Sequence, residues 1–444
     1  MSTPKKRSSA FNKKLWSIHS WVGLYAGVVI AVLSVTGVLA LYKVEVDRTL
    51  NASLFETAPG PQPVPISAVV DSLRSVHGAE YHTQTYPPKQ AADTWKATFI
   101  IPSGLAFEQL EVFIDPYSGH VLGERDYTRS FAYFLRTIHV RLYESLFGRQ
   151  IVGLAGIALL LSTITGFWIY GRFMKNQLLA AIRTKNLRIK MADYHKLIGV
   201  ATLVFNLMIA ITGAWLGLQR FVQPVVVGDR PGGFEVAEKP LTEAEDLAFA
   251  VDYGRVVQTS ALLFPEFVPH FIQSSRDGSR TLRIMGDVPG AAYERHTFSL
   301  TLDKHDLSEL HRYDIREAPV GEKLFYLQES MHFGDFGGIA LKLLYSFFGI
   351  TSGFLSLSGF VVYLKRTERK RSNHPTFVEL KPLLLRWTYG ILGVCAVLAV
   401  LQLNFGPVIP AILVIIAVYG TLLVLLIRAL VLFVRSRFAK VAVS

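Results

Sequence analysis

Charged residues drop out of the chain in windows as long as a bilayer crossing. Residues 22–42, 151–171 and 197–219 are three such runs, and 343–364 is a fourth that begins a turn earlier near Ile339. A helix through the hydrocarbon core takes roughly 20 residues, so each run predicts one span. The apolar run 387–427 is too long for one crossing. Asn404-Phe405-Gly406-Pro407 and Pro410 interrupt it, which predicts a hairpin between a fifth and a sixth helix. Two polar segments between the spans carry the periods of folded modules instead. In the first, 65–77 has the pattern of an amphipathic helix, and 95–101 and 110–114 read as strands. Asp115-Pro116-Tyr117-Ser118-Gly119-His120 is then a turn into Val121-Leu122-Gly123. The second predicts a helix near 242–253 and strands near 281–285 and 296–302. Asp303-Lys304-His305 stands at the turn position, without the glycine.

Composition agrees with a membrane protein. Of 444 residues, 51% are hydrophobic and only 18% charged, below the roughly 25% of a soluble chain. The net charge of +12 could suggest nucleic acid, but its placement excludes that reading. Basic residues crowd the short segments 1–14, 172–194 and 365–386 and the tail 435–444. Segment 43–130 instead holds 7 basic and 11 acidic residues, and 219–331 holds 12 and 18. The positive-inside rule then puts both termini and the short loops in the cytoplasm and both long loops outside. The first apolar run is too long for a signal peptide and reads as an uncleaved span. The organisation expected is thus a cytoplasmic N-terminus 1–14, a span at 15–42 and an outer α+β module at 43–130. A span with a preceding ligand segment (131–171), a cytoplasmic loop (172–194) and a span (195–219) follow. Next come a second outer module (220–331), a span (332–364) and a loop (365–386). Spans at 387–403 and 408–434 precede the tail.

Four histidines stand at the starts of the first four spans, in two registers. Thr36-Gly37 follows His19 by 17 residues, and Thr212-Gly213 follows His195 by 17. Thr165-Gly166 follows His139 by 26, and Ser358-Gly359 follows His332 by 26. The chain therefore reads as a tandem duplication of span, outer module, span. Two spans per copy make the copies point the same way, related by a pseudo-twofold along the membrane normal. His19 should then face His195, and His139 should face His332. Two facing imidazole pairs in a helical bundle are what two bis-histidine haems require. Gly23 and Gly199, each four past a histidine, would leave room for a porphyrin; close helix packing is the ordinary alternative. From His139 to Tyr170 is about 46 Å of continuous helix, too long for a bilayer. Either that pair lies near or beyond the interface, or the helices break at Gly148 and at Gly334, Gly337 and Gly338. Cys395 is the single cysteine, which excludes thiolate clusters and covalent haem attachment. The remaining histidines, His82, His270 and His296 among them, are expected to be solvated loop residues. No phosphate-binding glycine loop is present, so a reductant would be a separate protein or a quinol.

These features resemble the PepSY-associated transmembrane proteins of bacterial iron uptake. The likeness rests on Leu15-Trp16-Ser17-Ile18-His19-Ser20-Trp21-Val22-Gly23 with Thr36-Gly37, on Ile138-His139-Val140-Arg141-Leu142 with Thr165-Gly166, and on the Asp115–Gly119 turn. It covers residues 11–370. The resemblance implies an inner-membrane ferric-siderophore reductase of the ferrioxamine type, with two haems b on His19, His195, His139 and His332. It departs from the pattern at Ser358 and in the second turn. Two other readings compete: a non-catalytic membrane protein whose outer modules bind or inhibit a partner, and a transporter. The largely apolar middles of the first four spans weigh against transport.

Overall fold

The computed structural model describes residues 5–103, 106–143, 147–170, 182–226, 251–273, 280–293, 296–334 and 336–372. It also describes positions 389, 390, 393, 394, 396–398, 400, 401 and 404. The expected hairpin of fifth and sixth helices, the basic residues Arg172 and Lys175, and most of the helix expected at 242–253 lie outside the described residues.

Four described helices are long and apolar enough to cross a membrane: Ala10–Leu41, Gly148–Tyr170, Leu203–Val225 and Gly338–Thr367. They belong to α1 (Lys5–Leu41), α6 (Gly148–Tyr170), α8 (Leu203–Val226) and α11 (Gly338–Ser372). α1 packs on α6 and α11, and α6 packs on α8. The helix before α8, α7 (Leu187–Ala201), packs on α11 and closes the ring. Large apolar side chains cover the outside, among them Trp21 (64% exposed), Leu154 (58%) and Val204 (80%). Such a surface is stable only against lipid. At the α6–α8 crossing a Cβ on Gly217 would stand 2.3 Å from the Gly153 Cα, so only glycine permits that approach.

The third span differs from the single helix expected. It is parted at Thr202, whose hydroxyl bonds back to the Ile198 carbonyl (2.8 Å) while accepting from the Asn206 amide (2.7 Å). The long second and fourth elements are broken as well. α5 (Phe131–Arg141) is capped by the Ser130 hydroxyl and ends at Leu142 in the left-handed conformation (φ 50°) before α6 begins. α10 (Val320–Phe333) ends at Gly334, φ 61°, ahead of α11. The excess length of His139–Tyr170 is thus resolved by a break.

The two polar segments do not form separate modules. They build one eight-stranded antiparallel sheet in the order β4-β3-β2-β1-β5-β6-β7-β8. The first half contains α4 (Ser67–His77), β1 (His82–Tyr86), β2 (Trp95–Ser103), β3 (Ala106–Ile114) and β4 (Val121–Asp126). The second half repeats it with α9 (Tyr253–Leu263), β5 (Val268–Gln273), β6 (Thr281–Asp287), β7 (Phe298–Asp303) and β8 (Glu309–Tyr313). The halves join where Gln84 pairs with Gln273 and Thr85 with Ile272. One apolar core spans the join, from Val70 and Phe99 to Val256 and Leu300. Short helices α2 (Lys43–Leu50) and α3 (Ala52–Phe55) lead from α1 to this sheet.

The second turn has the hydrogen-bond pattern of the first. The Gly119 N–H donates to the Asp115 carbonyl, and the Leu307 N–H donates to that of Asp303. Tyr117 N–H and His305 N–H each donate to the preceding aspartate side chain at 2.8 Å. Leu307 takes the left-handed conformation (φ 61°) that Gly119 takes in the first turn (φ 73°). Left-handed backbone costs a branched residue ~1–2 kcal/mol, and burying the Leu307 side chain in the core returns ~1.5–3 kcal/mol. That offset is why the glycine is dispensable.

Candidate functional site

The four span histidines come from α1, α5, α7 and α10, and the fold gathers them as two pairs. The His19 and His195 rings have centroids 6.2 Å apart, and His139 and His332 lie 6.3 Å apart. Each ring sits in the same kind of socket on a neighbouring helix of its own repeat. His19 docks on Thr165-Gly166, His139 on Thr36-Gly37, His195 on Ser358-Gly359 and His332 on Thr212-Gly213. A Cβ on Gly37, Gly166, Gly213 or Gly359 would stand 2.8, 3.1, 3.2 or 3.0 Å from the imidazole Cε1. The glycine is therefore the floor of the socket, and any side chain would lift the ring.

The hydroxyl beside each glycine faces the histidine Nδ1. Thr165 Oγ1 donates its only proton to the Leu161 carbonyl, Thr36 to Val32, Thr212 to Met208 and Ser358 to Leu355, at 2.5–3.1 Å. Each oxygen can then only accept from its histidine Nδ1, at 3.1, 3.3, 2.9 and 3.0 Å respectively. Backbone carbonyls add a second acceptor: Ser162 O for His19 and Leu33 O for His139, both at 3.0 Å. The carbonyls hold the proton on Nδ1 in His19 and His139, and the same hydroxyl contact in His195 and His332 suits the same tautomer, with the lone pair on Nε2. That is the arrangement a metal-ligating histidine needs.

The dimensions fit a bis-imidazole metal centre. Two metal–nitrogen bonds of ~2 Å and ~1 Å from each nitrogen to its ring centre separate the centroids by ~6 Å. A cavity of about 650 Å³ surrounds the His19/His195 pair. Gly23, Gly27, Gly166, Gly199 and Gly359 line it, and nothing stands within 4 Å of a Cβ built on Gly23. These are the cradles a flat macrocycle would occupy. Arg183 and Lys196 line the same cavity, Arg183 with its guanidinium bonded to the Asp193 carboxylate at 2.9 and 2.8 Å.

The sequence spacings pointed to the histidines but not to their acceptors. Thr36, Thr165, Thr212 and Ser358 served only as register marks, although a hydroxyl before each glycine was the visible signal. Among the histidines expected to be solvated, His82 is buried on β1 with its Nε2 3.0 Å from the Thr85 hydroxyl. His270 and His296 stack face to face, centroids 3.5 Å apart. His374 lies outside the described residues.

A family model described as the PepSY-associated TM region matches residues 16–366. A Pseudomonas aeruginosa protein named only as uncharacterized is 27% identical over an alignment of 252 residues that covers 52% of this chain. The chain spans 63% of that relative's length.

Proposed function

The chain belongs to the family of PepSY-associated transmembrane regions, and from that premise we propose that it is a di-haem b oxidoreductase of the bacterial inner membrane that reduces ferric siderophores in the periplasm. The observation that carries the proposal is the fourfold socket, with every Nδ1 committed to an acceptor and two ring pairs at 6.2 and 6.3 Å. Haem b supplies, when bound, a one-electron couple inside the bilayer. His19 and His195 would hold one group, and His139 and His332 the other. Thr165, Thr36, Thr212 and Ser358 orient the imidazoles and raise their basicity by accepting from Nδ1. Lys196 would offer positive charge to the carboxylates of the cofactor at the His19/His195 cavity. The substrate gains one electron at Fe(III), and hard oxygen ligands hold the resulting Fe(II) far less well. By the positive-inside rule both termini face the cytoplasm, where an acidic reductase or a quinol would be the donor. The sheet domain then stands in the periplasm, above the short helices that carry His139 and His332.

A transporter is less well supported. Asn206, a polar residue within the third span, spends its side chain on Thr202 and Ser352 (2.7 and 2.5 Å), so it offers no open coordination to a passing solute. The test of the proposal is ferric-siderophore turnover in sealed proteoliposomes. His332→Ala should abolish it while dithionite still reduces the remaining haem. Unchanged turnover in that variant would mean that the substrate meets another site.

A further inference from the structure

His270, Asp287 and His296 are far apart in sequence but meet beside the join of the two half-sheets. One donor atom from each lies within 4.8 Å of the other two. His270 is on β5, at the point where the β5–β6 register slips between Pro269 and Phe271. A bulge of this kind re-aims a side chain out of the ladder. Its Nδ1 is buried and makes no hydrogen bond, a costly state for an imidazole. Asp287 ends β6. His296, just before β7, has φ of 61°, a conformation that L residues adopt at a cost. Its Nδ1 lies 3.0 Å from Asp287 Oδ2, and its ring is stacked on His270.

An unpartnered buried nitrogen, a bulge and a left-handed histidine thus converge on one point. The Asp287 carboxylate accepts the His296 N–H as well as facing its ring, which holds that backbone in place, and leaves the His270 nitrogen as the group that packing does not satisfy. From this geometry we propose that His270, Asp287 and His296 form a binding site for a divalent first-row transition-metal cation. Two imidazoles and one carboxylate suit zinc, iron(II) or cobalt(II), and discriminate against calcium and magnesium, which prefer oxygen-only shells. Bonds of ~2.0–2.1 Å in a tetrahedral site hold donors ~3.4 Å apart, with each metal–nitrogen bond in its ring plane, so the stacked rings of His270 and His296 turn out of parallel on binding. Three protein ligands leave a further position for water. The site is separate from the four span histidines and does not depend on what they hold.

The test uses tag-free full-length protein in detergent, freed of loose metal with a chelator. Zinc titration calorimetry should give one zinc per chain, and cobalt(II) should show the visible bands of a low-coordinate imidazole site. Magnesium and calcium should give no heat. Asp287→Asn, which keeps the side chain's shape, and His296→Ala should each weaken zinc at least tenfold. Haem content measured on the same samples should not change, which separates this site from the proposed function. Wild-type protein that binds no zinc would overturn the proposal whatever the variants do. So would zinc binding that survives His270→Ala, Asp287→Asn and His296→Ala alike.

Discussion

The duplication has been kept in two different ways in the bundle and in the sheet. In the bundle all four sockets use a histidine and, from a neighbouring helix, a hydroxyl followed by a glycine, with Ser358 the only exchange of one hydroxyl for another. In the sheet the two halves share an element order and a turn, yet Leu307 does the work of Gly119. The difference is physical. A socket needs particular atoms: an acceptor whose proton is committed elsewhere and a bare Cα under the ring. A turn needs only a backbone path, which several side chains can reach if burial offsets the strain.

If that contrast holds, the sheet should tolerate substitution except where it buries charge. Arg125 is such a place. It bonds Asp47 at 2.7 Å through both terminal nitrogens and Glu111 at 2.6 and 2.9 Å, tying α2, at the end of the first span, to β3. Arg125→Met should leave the buried Asp47 carboxylate without a cation, while Glu111 keeps only Lys96 (2.6 Å), and cost about 3–5 kcal/mol. Chemical denaturation followed by the fluorescence of buried Trp95 checks it. Retained stability would mean that the sheet does not rely on this tie.

Acid should weaken the sheet through His82. Burial, with the charge of Arg74, pushes its pKa from the ordinary 6.5 down to about 4. The unfolded chain therefore takes up a proton at pH values where the folded chain does not. His82 leaves stability undiminished above pH 6.5 and lowers it by up to about 3 kcal/mol as the pH falls towards 4. His82→Gln should flatten that part of the stability–pH curve. A slope unchanged by the substitution would assign the effect to other groups.

The sockets should resist even a methyl group. In Gly37→Ala the new Cβ would stand 2.8 Å from His139, and overpacking of this kind costs about 1–3 kcal/mol. Haem quantitation should show the His139/His332 group lost or weakened and the other retained. By contrast Gly119→Ala, where Val64 and Val69 lie at an ordinary 3.6 and 3.7 Å, should cost only about 1 kcal/mol of backbone strain. Urea titration of the two variants side by side measures the gap between socket and turn.

What the sequence revealed follows the same line. The four apolar runs were legible because length and lack of charge are one-dimensional properties. The His19/His195 and His139/His332 pairs were legible because the repeat preserved the spacing from each histidine to the next hydroxyl–glycine pair along the chain, 17 residues in one register and 26 in the other. The break at Thr202 was not, since it depends on a hydroxyl shared between Ile198 and Asn206. β1, β5 and β8 were missed because they are short, and Thr83, Gln84 and His270 give no clean alternation of polar and apolar positions. That the half-sheets join through Gln84 and Gln273 could not be read either, because strand pairing across the duplication leaves no local signal. The cluster of His270, Asp287 and His296 has no motif spacing; only the bulge and the turn of the chain assemble it.

The most direct measurement is pyridine haemochrome quantitation on the purified chain and its four single His→Ala variants. Two haems b per chain are expected, falling to one in each variant. The spectrum of the survivor should be the same in His19→Ala and His195→Ala, and the same in His139→Ala and His332→Ala, but should differ between the two sets. Well under one haem per folded wild-type chain would contradict the proposal, and losses that couple His19 with His139 would contradict the pairing.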